Sequence, residues 1–161
     1  AGKGINVTAI DASDIAVKRL QEEYNSDNLR FVCDDFVCSP IVFVEHYDYC
    51  YSRFSLHAIN EKQEKEMINN VYNTLKEKGK FFIEVRSVKD ELYGKGETVG
   101  RNAYKYNGHY RRFIVKEELE EQLKKSGFEL EYSEEARDFA PYQDSNPPVI
   151  RIIAHKPCET I

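Results

Sequence analysis

Long apolar runs are missing from this 161-residue chain. Its apolar stretches are far too short to cross a bilayer, so no membrane segment is expected. A positive charge excess is missing too: 28 acidic residues stand against 23 lysines and arginines, for a formal net charge of −5. Non-specific nucleic-acid binders rely on basic surface to displace phosphate counterions, so no nucleic-acid partner is expected. Cysteine is scarce, with four residues at 33, 38, 50 and 158 and no CxxC pair. No matching His or Cys pair completes four ligands with Cys33 and Cys38, so no metal is expected, and the cysteines read as buried, reduced, structural thiols. The N-terminus carries no basic region followed by an apolar stretch. Together these features give the expectation of a cytoplasmic protein. Repeats, low-complexity segments and composition shifts are also lacking, which leaves one domain over residues 1–161 as the expected organisation.

What the chain does contain is an alternation of strand and helix patterns. Ile5 to Asp11 is an apolar, β-rich run ending in one acid. Ser13 or Asp14 can cap a helix running to about Tyr24, with Ile15, Val17, Leu20 and Tyr24 as its apolar positions. Leu29 to Cys33 is the next predicted strand, followed by Asp34-Asp35-Phe36, and Tyr47 to Phe54 is a third. Asn60 with Gln63 three residues on forms a helix-capping pattern. Met67, Ile68, Val71, Tyr72 and Leu75 then make one apolar stripe, with Gly79 expected to close that helix. Lys80 to Arg86 reads as a strand, and residues 87–113, with little periodicity, as a long loop or lid. A helix over Lys116 to Ser126, inward at Val115, Leu119 and Leu123 and stopped by Gly127, precedes two strands, Phe128 to Ser133 and Val149 to His155. Alternating units that finish on two strands with no helix between them predict an α/β fold, a Rossmann-like, mostly parallel sheet with an antiparallel last strand.

In order, the segments VTAIDAS, LRFVCDDF, YDYCYSRFSLHAI, LKEKGKFFIEV and the pair FIVKEELEEQLKKSGFELE with VIRIIAHK resemble a class I S-adenosylmethionine-dependent methyltransferase. The small-molecule, tellurite-resistance-like branch is the nearest likeness. The resemblance implies a seven-stranded sheet with S-adenosyl-L-methionine lying across the carboxyl ends of its first four strands. It implies that Asp11 takes the ribose hydroxyls, that Ala12 lies beside the adenine, and that Asp35 receives the adenine amino group, with Phe36 giving a neighbouring backbone contact. Ser52 and Arg53 would sit near the methionine part or the transferred methyl. The family's GxGxG turn after its first strand has no counterpart here, since Gly2-Lys3-Gly4 comes just before the family's second strand. That departure, with a start at Ala rather than Met, gives the expectation that the first strand and helix are missing by N-terminal truncation, or that a second chain completes the sheet.

Outside the cofactor segments, Arg86 ends a strand beside the expected lid and is the substrate-side candidate there. His109-Tyr110-Arg111-Arg112-Phe113 gathers two guanidiniums, a phenol and an imidazole before a helix. Such a set can clamp a phosphate or carboxylate in bidentate geometry, and a solvated surface patch is its other reading. Tyr142 can close the cleft from the other side. For a hydroxyl acceptor the base candidates are His57, His109 and Tyr110. The arginines favour methyl transfer to a small, anionic metabolite. Two other readings stay open: a non-catalytic relative that keeps the fold as a binding or assembly module, and a nicotinamide-dependent oxidoreductase, which shares the acid-tipped strand and is disfavoured by the terminal pair of strands.

Overall fold

The structure, a computed structural model, describes residues 3–158. It falls into two compact units that divide between His46 and Tyr47.

The first unit is a strand-helix-strand crossover. Strand β1 (Val7–Asp11) pairs in parallel with β2 (Leu29–Cys33), and α1 (Asp14–Glu23) links them. The helix starts where the sequence demands it, because the Ser13 hydroxyl accepts from the Ala16 N–H at 3.2 Å and satisfies an amide with no intrahelical partner. Of its expected inward positions Val17 is buried, whereas Ile15 is 75% exposed.

The second unit carries a four-stranded sheet in the order β3 (Tyr47–Arg53), β4 (Leu75–Arg86), β9 (Val149–His155), β8 (Glu129–Ala136). β3 and β4 are parallel, and β9 runs antiparallel to both its neighbours. The expected terminal antiparallel strand is therefore present. Alternate residues of β4 and β9 face each other in register, Phe81 with Ala154, Ile83 with Ile152, and Val85 with Ile150, and all six are fully buried. Burying each of the larger side chains contributes roughly 1.5–3 kcal/mol, which makes this pair of strands the core of the unit. Helix α2 (Glu61–Thr74) buries Met67, Ile68 and Val71, and α3 (Lys116–Lys125) buries Leu119 and Leu123. At the start of α2 both halves of the capping box form, Gln63 N–H to Asn60 Oδ1 and Asn60 N–H to Gln63 Oε1.

Three expectations need correction. Gly79 does not close α2, which ends at Thr74; it lies within β4, where a Cβ would stand 2.8 Å from the Lys76 carbonyl oxygen. Residues 87–113 are not a structureless lid. They hold a separate antiparallel sheet, β5 (Glu97–Gly100), β6 (Ala103–Tyr106) and β7 (His109–Arg112), whose second turn is Asn107-Gly108, both with positive φ. That dipeptide is the pairing a tight hairpin turn requires. The cysteines were expected to be buried, but Cys33, Cys38 and Cys158 are exposed. Only Cys50 is sheltered, and burial pushes its thiol up to about 12.

Candidate active site

In the first unit the chemistry collects at the carboxyl ends of the two parallel strands. Asp11 is opposite Cys33 in the register, and the Asp34 N–H donates to the Asp11 carbonyl at 3.2 Å, so the tips of β1 and β2 lie side by side. Asp11 Oδ1 accepts from the Ser13 N–H at 2.8 Å, while its Oδ2 has no partner among the described residues. One carboxylate oxygen thus shapes the entry to α1 and the other stays open. From sequence, Asp34 reads as a solvent-facing turn residue and Asp35 as the ligand-facing acid. Asp34 instead is half-buried, holding the buried Ser39 hydroxyl at 2.8 Å, and Asp35 is the exposed acid. Asp35 Oδ1 also accepts the Val37 N–H at 2.8 Å, and its Oδ2 accepts the Cys38 thiol at 3.8 Å. The N–H of Phe36 makes no hydrogen bond among the described residues. Ala12, between Asp11 and Ser13, is exposed. These two strand tips therefore present one open carboxylate oxygen, on Asp11, and one open backbone donor.

In the second unit a different group forms where β3 and β4 end. Arg53 Nε donates to Glu84 Oε2 at 3.0 Å, and Glu84 also receives Arg151 Nε at 2.8 Å and the Tyr51 hydroxyl at 3.2 Å. Burial pushes the Glu84 carboxyl upward, but the hydrogen bonds from Arg151 and Arg53 outweigh it and hold the group below the usual carboxylate range. Glu84 is thus a buried anchor with charged partners on both sides. Arg86 pairs with the buried Asp90 at 2.6 Å. Phe54, just beyond β3, has φ of 55°, an uncommon backbone for an aromatic residue, and its N–H is tied to the Glu84 carbonyl at 2.8 Å. Arg53, Phe54, Arg86, Tyr142 and Ser145 line one cavity of about 280 Å³. Ser52, expected beside a ligand, is buried with its hydroxyl on Ser55 at 2.9 Å.

His57 belongs to a single 3-10 turn (Leu56–Ala58) against which β4 and β7 pack. Its ring lies 6.1 Å from that of Phe54, and its Nδ1 is buried with no hydrogen-bond partner among the described residues. Burial, with the Arg86 and Arg111 charges adding to it and Asp90 opposing, lowers its pKa to about 4. The ring is neutral at pH 7, free to accept a proton but a weak base. A histidine whose folded pKa lies below its unfolded 6.5 contributes stability above pH 6.5 and loses it as pH falls toward 4. His57→Gln is expected to remove a pH-dependent loss on the order of 2–3 kcal/mol over that window. Urea midpoints measured from pH 7 to pH 4 check this, and parallel curves for both proteins would count against it.

Strand alternation splits the His109 to Phe113 cluster. In the β6–β7 register Arg111 sits opposite Tyr104 and His109 opposite Tyr106, while Tyr110 and Arg112 lie on the other face. Arg112, expected on a substrate, is 6% exposed and ties β7 to the segment before α2, with Nε on the Ile59 carbonyl at 2.8 Å and Nη2 on Glu64. The structure gives it an internal ion pair in place of a clamp. Arg111 is half-buried, with no hydrogen-bond or ion-pair partner among the described residues. His109 and Tyr110 are exposed. Phe54 and Arg151 are among the members of the site that were not singled out from sequence. No local pattern marks either one, since a positive φ and a pairing across 67 positions leave no trace in spacing.

Residues 1–79, just under half the chain, match the family model of a methyltransferase domain. No curated protein matches the sequence significantly. Among solved structures, a SAM-dependent methyltransferase from Methanosarcina mazei superposes with a TM-score of 0.81 at 16% identity, covering 98% of this chain and 84% of the other. The glycopeptide N-methyltransferase MtfA complexed with S-adenosyl-L-methionine gives 0.70 at 17% identity, over 97% and 79%. A Burkholderia thailandensis 1,6-didemethyltoxoflavin-N1-methyltransferase, solved with 1,6-didemethyltoxoflavin and S-adenosylhomocysteine, gives 0.72 at 18%, over 98% and 64%. The chain has the fold of the S-adenosylmethionine-dependent methyltransferases.

Proposed function

We propose that this protein transfers the methyl group of S-adenosylmethionine to a small, anionic metabolite. The observation that carries the reading is the pair of exposed carboxylates, Asp11 and Asp35, on adjoining tips of parallel strands in a methyltransferase-like fold. Strand tips of this kind are where open α/β sheets bind nucleotides. The likeness to MtfA, solved with the cofactor, supports S-adenosylmethionine as the group bound. The residues fit it: Asp11 Oδ2 can accept from ribose hydroxyls, Asp35 from an adenine amino group, and the unpaired Phe36 N–H can donate to a ring nitrogen beside Ala12. When bound, that cofactor supplies a methyl group already activated on a sulfonium, so the protein's own part is alignment and exclusion of water.

For the acceptor, the arginines of the second unit favour an anion. Of the base candidates, His57 feels the charges of Arg86 and Arg111 and has a neutral ring whose Nδ1 has no partner among the described residues. His109 and Tyr110 are the exposed alternatives. β3 has one hydrogen-bonded neighbour in its sheet, which supports pairing of its outer edge with a further strand, from this protein or a second chain. Slowed hydrogen exchange along β3 on adding that strand as a peptide is the expected sign.

The test of the main reading is calorimetry with S-adenosylhomocysteine, followed by transfer of a labelled methyl group from S-adenosylmethionine to a panel of small carboxylates and phosphates. Saturable binding and label transfer support it. Absence of heat at high ligand concentration would overturn it.

A further inference from the structure

Two guanidinium groups converge on one aromatic ring in the second unit. The Arg53 Cζ lies 5.1 Å and the Arg86 Cζ 6.0 Å from the centroid of Phe54. Like charges gathered over one ring repel, and the ring's negative face offsets only part of that. Each arginine also spends few of its donors internally. Arg53 uses Nε on Glu84, and Arg86 uses Nη1 on Asp90. Their other N–H groups have no acceptor among the described residues, although a guanidinium carries five donors in a fixed fork. Glu84 is no exclusive counter-ion, because Arg151 holds its other oxygen at 2.6 Å. Positive charge therefore exceeds negative charge around the cavity.

The backbone holds this arrangement in place. Phe54 keeps its left-handed conformation through the bond from its N–H to the Glu84 carbonyl, and strained residues of this kind persist where surrounding structure fixes them. The cavity, at about 280 Å³, approaches the smaller pockets that take metabolites. Tyr142 and Ser145 add hydroxyls at its rim, and it opens beyond the carboxyl ends of the parallel strands β3 and β4.

We propose that the cavity bounded by Arg53, Phe54, Arg86, Tyr142 and Ser145 is an oxyanion site that takes the carboxylate or phosphate of the methyl acceptor. The guanidiniums of Arg53 and Arg86 grip that group from two sides. The word acceptor rests on the methyl-transfer reading; the anion site rests on the cavity. Of the two places the family resemblance gave Arg53, the methionine part or the transferred methyl, this keeps the one beside the methyl and joins Arg53 to Arg86.

Inorganic phosphate and acetate are the probes, titrated into the protein at constant ionic strength and followed by the arginine Nε–H resonances. Saturable binding is expected, with a dissociation constant on the order of millimolar, and the tighter of the two identifies the acceptor's group as phosphate or carboxylate. Arg53→Gln and Arg86→Lys should each weaken it at least tenfold. The lysine keeps a charge opposite buried Asp90 and so protects folding. Arg101→Gln, a surface arginine paired with Glu61 and Glu118, should bind as the parent does. No saturable binding, or equal binding by the two cavity variants, would overturn the site. Displacement of phosphate by S-adenosylhomocysteine would also overturn the assignment, because the cavity would then serve the cofactor's carboxylate. Anion binding that persists where S-adenosylhomocysteine does not bind would leave the site standing and remove only the methyl-transfer reading.

Discussion

Arg112→Ala is expected to lower the unfolding free energy by about 3–5 kcal/mol, the range for breaking a buried ion pair from one side. Arg112 and Glu64 are both almost wholly buried, and Arg112 Nε holds the Ile59 carbonyl besides. Removing the guanidinium strands a buried carboxylate and a buried carbonyl together. Burial holds the Glu64 carboxyl above the ordinary range even with Arg112 beside it, so the intact pair is itself expensive to desolvate. The double variant Glu64→Gln with Arg112→Met should therefore recover much of the loss, since it leaves no orphaned charge. Urea denaturation of both proteins measures this. A loss under about 1 kcal/mol in the single variant, or no recovery in the double, would show that the pair does not brace β7 against α2. A folded Arg112→Ala that lost only acceptor binding would return Arg112 to the clamp.

The same residue explains where sequence reading stops. His109 to Phe113 looks like one basic and aromatic cluster along the chain, but a strand sends alternate side chains to opposite faces. The hairpin that makes it a strand was signalled by Asn107-Gly108, and the four-residue strands around it were too short and too polar to show a period. The Asn60–Gln63 cap, the Ser13 cap and the terminal β8–β9 pair were legible because each follows from neighbouring residues or from a buried alternation. Glu84 and Arg151 meet across the β4–β9 register, and the backbone of Phe54 turns left-handed under tertiary constraint. Neither is written in local spacing. Asp35 reads from sequence as the ligand-facing acid and Asp34 as the solvent-facing one, whereas Asp34 takes up the half-buried turn bond to Ser39 and Asp35 is exposed. Two adjacent aspartates give no sequence clue to which one turns inward.

Asp11→Asn separates the two things Asp11 can do. Asparagine keeps a carbonyl oxygen for the Ser13 N–H, which Asp11 Oδ1 now accepts at 2.8 Å, and it opens helices about as well as aspartate. The thermal midpoint is therefore expected to stay where it is. What asparagine lacks is charge and a second acceptor oxygen, and two ribose hydroxyls need both. A hydrogen bond to a charged group contributes about 1.5–3 kcal/mol, so S-adenosylhomocysteine affinity should fall at least tenfold in Asp11→Asn. In Asp11→Ala, where both bonds go, the fall should reach about a hundredfold or more, with some loss of stability from the vacated turn. Asp35→Asn should weaken binding less, because its carboxylate is partly engaged by the Val37 N–H and faces one amino group. Calorimetry on the three variants checks the order. If Asp11→Asn bound S-adenosylhomocysteine as tightly as the parent, Asp11 would be a helix-entry residue and nothing more, and the adenosine would have to be held elsewhere.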